Sequence, residues 1–600
     1  MIYNSYKKQL KINDPRLGVL HEPHLLQVEV PVDSKLVISD IDRDEKPTRR
    51  FWVDPVAGSN SNDGSQESPF ATLTYATAAA RVPDISSDDY IVVNLVPSGN
   101  LQADDNCRFV GANQGARYLI RGAGGVYEGS TDTNFGFIEA AFNAQVTARF
   151  ENLKITCTKV IFFSGTETAG RDSHFEIAGS CEFIHSRLTA EEAMRLRGSV
   201  QPVNGSIKIE SGAKITGWPA WALLVPGSID LLQMDGAIFE SDSSLVGQSE
   251  ISGDIDIQNC TFNFPNGAVN NRLRIEPASS TSIVLRNNNF TVNTDTQYPI
   301  WIRRVPTSGP DVDVEMTGNT ISGSFSSYML HIGDEVGSAS TRATQEAASK
   351  PYASVLVENN SIVNNATNGG VLRIGVNADN AIVRGNYFRV AGINETSDVH
   401  QVYLFGRNTD FSNNNCQAQI LAFGPGQKIE KNVIVARRGV LLGGTGGGSQ
   451  LVGGGNDYTI RNNLIIATSE DCYSDYSFNN AYPTNLGDLI ADIDRNQYIV
   501  MLTAAKIATL TESSLAPTTI EQLRNVWQNS ALTGSGSVYG DAGNATNDGA
   551  SKLIDGGAAS LAESIVVADV ELTSADFSRL RKRYLGKSVS GVILLIPGLP

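Results

Sequence analysis

Leu285-Arg286-Asn287-Asn288-Asn289-Phe290 is one copy of a pattern that recurs along the chain. An apolar residue stands three positions before an asparagine, and an apolar residue or cysteine two positions after it. The asparagines are Asn288, Asn319, Asn360, Asn386, Asn414, Asn432 and Asn463. Leu285, Met316, Val357, Val383, Phe411, Ile429 and Ile460 precede them; Phe290, Ile321, Ile362, Phe388, Cys416, Ile434 and Ile465 follow. Their spacing runs from 18 residues (Asn414 to Asn432) to 41 (Asn319 to Asn360). A constant short pattern between variable segments is how a solenoid is written: each coil has the same core and its own loops. The alternation of apolar and polar residues before each asparagine turns one residue of each pair inward. Asparagine suits a recurring turn because it tolerates left-handed backbone, and stacked amides can hydrogen-bond from coil to coil. The pattern therefore predicts scaffold and no chemistry.

The rest of the composition agrees. Of 600 residues only 18% are charged and 56 are glycine, which favours short strands and turns over long helices. A net charge of −17 argues against nucleic acid and anionic membrane surfaces as partners. Cys107, Cys157, Cys181, Cys260, Cys416 and Cys472 lie far apart without metal-ligand spacing, so buried free thiols are expected. Met1 to Asp14 is polar, and no segment approaches the apolar length of a signal peptide core or membrane span. A soluble chain, not exported through a signal peptide, is the expectation.

Residues 1–50 hold Pro15, Pro23, Pro31 and Pro47 and none of the asparagine pattern, and read as a separate attachment or oligomerisation arm. From Phe51 a new unit opens with Trp52-Val53-Asp54-Pro55, Gly58 to Gly64, Pro69-Phe70-Ala71-Thr72-Leu73 and a helix-like Tyr75 to Arg81. This string resembles the opening of right-handed parallel β-helix proteins of the pectate-lyase-like superfold, in which a strand, a turn and a short helix cap the solenoid. Asp54, Asn60, Asn62 and Asp63 have oxygen ligands a calcium loop could use. The bidentate glutamate is missing, so a tight turn is the better reading and no metal is expected. The predicted organisation is an arm (1–50), a cap (51–100), an all-β right-handed parallel β-helix (101–500) and a C-terminal capping or trimerisation region (501–600). Within the last regions, Ile490 to Asn496 reads as a late coil, Thr518 to Trp527 as a short helix, and Val589 to Ile596 as a closing strand.

A second series follows the asparagines: Leu273-Arg274-Ile275, Ile300-Trp301-Ile302, Leu330-His331-Ile332 and Leu372-Arg373-Ile374. Apolar first and third positions face inward, so Arg274, Trp301, His331 and Arg373 should stack on one exterior face, with Arg303 beside them. The same alignment places Leu404, Ala422 and Leu441 outward further along, where the face turns bland. A tryptophan among Arg, His and carboxylates offers a surface for sugar stacking and hydrogen bonding. Solvated scaffold, an interface, or cover by an insertion such as Thr341 to Pro351 are the competing readings. Trp218 and Trp221 form a rival groove wall. Glu276, Asp334 and Glu335 are the acidic candidates for hydrolysis, which needs a carboxyl pair about 5 Å apart for retention or roughly 6.5 to 9.5 Å for inversion. Arg274, Arg303, Arg373 and His331 could instead serve lyase chemistry. No cofactor motif is found; the Gly443 to Gly448 run reads as a coil-corner loop.

The layout of arm, capped β-helix with irregular insertions, and C-terminal cap resembles bacteriophage tailspike and tail fibre proteins. That resemblance implies a homotrimer in the virion, bound to other tail proteins through the arm, that recognises and in some cases cleaves host surface polysaccharide. The alternatives are a free bacterial polysaccharide lyase or glycoside hydrolase, and a non-enzymatic adhesive or structural β-helix.

Overall fold

The computed structural model describes residues 46–467 with interruptions in loops, the strands at 473–475, 491–494, 497–501 and 592–595, and isolated positions elsewhere. The chain is all-β, a parallel β-solenoid whose coils feed three sheets. The first sheet has 16 strands from Arg49–Val53 to Ala491–Asp494. The second has 15, from Val126–Glu128 to Val592–Leu595, and the third 14, from Cys107–Phe109 to Tyr473–Asp475. One coil shows the plan: Ser282–Arg286 in the first sheet, Asn289–Asn293 in the second, Ile300–Ile302 in the third, then back to the first at Asp313–Thr317.

Period-two alternation makes the core. Ile283 and Leu285, Phe290 and Val292, and Ile300 and Ile302 point inward from the three strands of that coil and are buried. Because the coils are in register, like side chains stack: the rings of Phe239, Phe262 and Phe290 lie 5.3 and 4.6 Å apart, nearly parallel. Cys107, Cys157, Cys181, Cys260 and Cys416 are buried free thiols, and Cys472 lies outside the described residues. Burial pushes the Cys181 thiol up to about 11 and that of Cys260 to about 12, so both stay protonated.

At the corner between the first and second sheets the two roles expected of one asparagine belong to two adjacent residues. Left-handed backbone falls on the residue before the patterned asparagine: Asn287, Gly318, Asn359, Gly385, Asn413, Lys431 and Asn462 all have positive φ, from 53° to 67°. A Cβ on Gly318 would come within 2.3 Å of Asn287 Oδ1, the end of a side chain, so a substitution there would have to displace that amide. The patterned asparagines themselves are buried and form a continuous ladder. Asn288 Nδ2 donates to Asn319 Oδ1 at 3.0 Å and to the Ile257 carbonyl at 2.8 Å, and its backbone N–H donates to the same Asn319 Oδ1. The same bonds repeat from rung to rung up to Asn463. Every amide so engaged satisfies corner groups that would otherwise be buried without partners.

The solenoid opens with Arg49–Val53, paired to Tyr90–Leu95, so its first strand begins within the segment read as the arm. The rest of that segment, residues 1–45, lies outside the described residues. The cap helix spans Leu73–Thr77, earlier than Tyr75 to Arg81. Thr72 Oγ1 caps it by accepting from Tyr75 N–H, and the buried Asp105 carboxylate accepts from the N–H groups of Leu73 and Thr74 at 2.9 and 2.8 Å. The Asp54 to Asp63 cluster is a turn. Asp54 Oδ1 accepts from Val56 and Ala57 N–H, Asp63 Oδ1 from Ser65 N–H, and Asn60 Oδ1 from Ala71 N–H. At the far end, Ala491–Asp494 pairs with Tyr458–Arg461 as the late coil, and Val592–Leu595 pairs with Gln497–Met501 as a closing strand. The helix expected at Thr518 to Trp527 and the Gly443 to Gly448 loop lie outside the described residues.

Candidate functional site

The outward column of the third sheet is where residue type changes most from rung to rung. Its strands pair Glu250 with Arg274, Arg274 with Trp301, Trp301 with His331, His331 with Arg373, and Arg373 with Tyr403. Arg274, Trp301, His331 and Arg373 thus occupy four successive rungs, as their offsets from the asparagines predict. At about 4.8 Å per rung they span roughly 15 Å.

Two parts of the expectation change. The first is register. Val402 and Leu404 face inward while Tyr403 faces outward; likewise Leu421, not Ala422, continues the outer column. The strand is Val402–Leu404, one residue earlier than a reading with Leu404 at the outward position requires. That one-residue slip exchanges the faces. In place of a bland surface, Tyr403 packs with Phe405, Leu421 and Val376. Leu441 pairs with Leu421 and keeps its place in the column. The second is exposure. Trp301, Arg274 and Arg303 are half-buried, whereas His331 is fully buried and Arg373 is 8% exposed. An insertion after Tyr328–Ile332 returns as Ser349–Lys350, which pairs antiparallel with Val305–Pro306. Tyr352 then donates its hydroxyl to the Arg303 carbonyl.

The column is held by rings and guanidiniums. The indole of Trp301 stacks on the His331 imidazole at 5.5 Å and 7°. On the preceding rung the Arg274 guanidinium lies 5.7 Å from the indole centroid, and Arg303, just past the end of the Trp301 strand, lies 5.0 Å from it. Protein groups therefore take the indole faces along the column axis, and the stacking role read for a sugar is filled from within. Trp301 Nε1 donates to the Gly333 carbonyl at 3.4 Å. Two rungs on, Arg373 sits 5.6, 5.1 and 5.7 Å from the rings of Tyr328, Tyr403 and Phe405. Such contacts are worth about 0.5–1 kcal/mol exposed and about 2 when desolvated.

Trp218 is a core residue: it is 2% exposed, its Nε1 donates to the Thr158 carbonyl at 2.8 Å, and its ring lies 5.2 Å from that of His185. A register shift between Thr216 and Trp218, with Gly217 at φ 89°, reverses the parity of the strand and turns the indole inward. Trp221 lies on the third-sheet strand Ala220–Leu224. Glu276, Asp334 and Glu335 lie outside the described residues. Sequence reasoning missed Tyr328 and Tyr403. Of these, Tyr403 was legible once Val402 and Leu404 are taken as the inward pair.

The first sheet's outer face is built differently. Arg149 contacts Glu151, Glu176 and Glu210 at 2.8, 2.6 and 2.8 Å, Arg286 meets Glu315, and Arg384 meets Glu358. These three cations are matched with carboxylates.

The fold defines the class, a parallel β-solenoid with one outer column of aromatic and cationic residues. No family model matches the chain, and no curated protein matches it.

Proposed function

We propose that the chain is a tailspike-type receptor-binding protein that holds a surface polysaccharide on the outer face of the third sheet. The observation that carries this reading is the half-buried cluster of Arg274 and Trp301 on successive rungs of a rigid column, with Arg303 beside Trp301. A repeating sheet spaces polar groups every 4.8 Å or so, close to the repeat of a sugar chain, and sites on strands hold geometry better than sites on loops. The proposal includes a homotrimer in the virion, tail proteins as partners of residues 1–50, and host polysaccharide as ligand. Cleavage, with Glu276, Asp334 and Glu335 as the acidic candidates, would be an added activity.

The test is retention of the protein on immobilised purified bacterial surface polysaccharides, with native mass measured in parallel. Trimer mass and capture by at least one polysaccharide are expected. Trp301→Ala should lower that affinity tenfold or more while the far-UV spectrum is unchanged. A monomer that captures no polysaccharide sinks the proposal. Release of reducing ends, or absorbance near 235 nm, would mark the bound glycan as a hydrolase or lyase substrate.

A further inference from the structure

We propose a second binding site, at the N-terminal end of the first sheet: a cavity that takes a carboxylate carried on a small apolar group. Strand parity builds its floor. Ile91, Val93 and Ile120 point into the core, so Tyr90, Val92 and Leu119 point out, and register sets Arg50 and Trp52 of the first strand beside Val92 and Asn94. Further along this sheet the outward positions carry the ion pairs of Arg149, Arg286 and Arg384. Here, instead, Tyr90, Val92 and Leu119 form a buried apolar cluster apart from the core. All three line a cavity of about 390 Å³. Pockets for small ligands run from about 300 to 1,000 Å³, so this one suits a molecule of one ring or one branched chain.

The rim selects the charge. Arg50, Trp52, Asn94 and Arg121 line the cavity, and the described residues around it include no acidic side chain. Arg121 meets Glu151 at 3.3 Å, so its charge is already compensated. Arg50 is exposed and lies 5.9 Å from the Trp52 ring, and among the described residues it forms no ion pair. The Trp52 indole N–H and the Asn94 side-chain amide likewise make no hydrogen bond among those residues. The rim therefore carries one net positive charge and more donors than acceptors, which fits a monoanion. A guanidinium resting on a ring keeps its N–H fork, and that fork takes a carboxylate two oxygens at a time. The apolar body of the ligand would lie on Val92 and Leu119, with its carboxylate toward Arg50. This site is on a different sheet from the Trp301 column and does not depend on glycan binding there.

The experiment mixes the full-length chain with phenylacetate and isovalerate at millimolar concentration, and with phenylacetamide and isovaleramide as their uncharged counterparts. Binding is read as saturation transfer from protein to ligand by NMR. At least one carboxylate should bind, and its amide should bind tenfold more weakly or worse. Arg50→Ala should lose tenfold or more, with Arg50→Lys intermediate because it keeps the charge without the fork. Asn94→Asp is nearly isosteric and sets a second anion in the rim, so it should abolish carboxylate binding while the far-UV spectrum is unchanged. Amides bound as well as carboxylates, carboxylate binding indifferent to Asn94→Asp, or no transfer to either carboxylate overturns the proposal. None of these results bears on the capture of polysaccharide by the third sheet, so the two readings stand or fall separately.

Discussion

One corner column runs the length of the solenoid, and its two halves are built from different chemistry. By register, the residues before Lys154, Glu182, Lys214, Ile238, Thr261 and Asn289 stack above one another: Leu153, Cys181, Ala213, Ala237, Cys260 and Asn288. The N-terminal half of the column is thus small or apolar, and from Asn288 onward it is asparagine. Both halves are buried. They differ in how the corner backbone is satisfied. Around Cys181 and Ala213 the corner is one residue longer, and the chain bonds to itself, Cys181 N–H to the Ala178 carbonyl and Ala213 N–H to that of Glu210. From Asn288 onward the corner is too short for this, and the side-chain amide of the next rung takes over, whereas the equally short corners at Leu153 and Ala237 carry no amide.

The largest effect that would test this difference is Asn360→Ala. It removes the acceptor used by Asn319 N–H and Nδ2, both at 2.9 Å, and the donor used by the Met316 carbonyl and Asn386 Oδ1. Four bonds go, and buried groups on both sides lose a partner, for a cost of about 3–5 kcal/mol. A denaturant midpoint should fall accordingly. A loss under about 1 kcal/mol would mean that the amide ladder is ornamental and that Ala213 and Ala237 show what suffices anywhere.

A smaller effect is expected where the halves meet. Cys260 already stands in the ladder register, and its N–H donates to Asn288 Oδ1 at 2.9 Å. Cys260→Asn would lengthen the ladder by one rung, with Ala237 leaving room on the far side. Stability should change by about 1 kcal/mol or less, in either direction. A drop of more than about 2 kcal/mol would show that the boundary is fixed by packing and not by unmet hydrogen bonds.

The difference between the halves also explains what could be read from sequence. The asparagine half was legible because one residue type had to recur, and it carried the register of the inward columns with it. The N-terminal half carried no such marker: Leu153, Cys181, Ala213 and Ala237 share burial but no chemistry, so its coils were visible only as short β runs. The outer column was legible for four rungs, since Arg274, Trp301, His331 and Arg373 lie between paired apolar residues. It failed at Tyr403, where an aromatic residue outside a strand imitates one inside. It failed also at Trp218, where a glycine bulge reversed the faces. Exposure was not legible at all. His331 is buried and stacked on Trp301 although it stands at an outward position of its strand, and no periodicity encodes that.

The smallest effect separates the inside of a rung from its outside. Arg286 lies two residues before Asn288 and points out of the first sheet, where its guanidinium meets Glu315 through two bonds of 2.6 and 2.5 Å. That pair is 41% and 30% exposed by side chain, so despite its good geometry it should contribute only about 0.5 kcal/mol. The Arg286 hydrogen bond, opposed by burial, holds the Glu315 carboxyl below the ordinary glutamate value of 4.5. A depressed carboxyl pKa stabilises the fold above the unfolded value and loses that contribution as pH falls through the folded one. The pair should therefore be fully felt at pH 7 and fade below about pH 4.5. Arg286→Ala should lower the melting midpoint slightly at pH 7 and make no difference once Glu315 is protonated. If it instead matched the cost of Asn360→Ala, the rung would be held from its outer face, and the ladder would be a passenger.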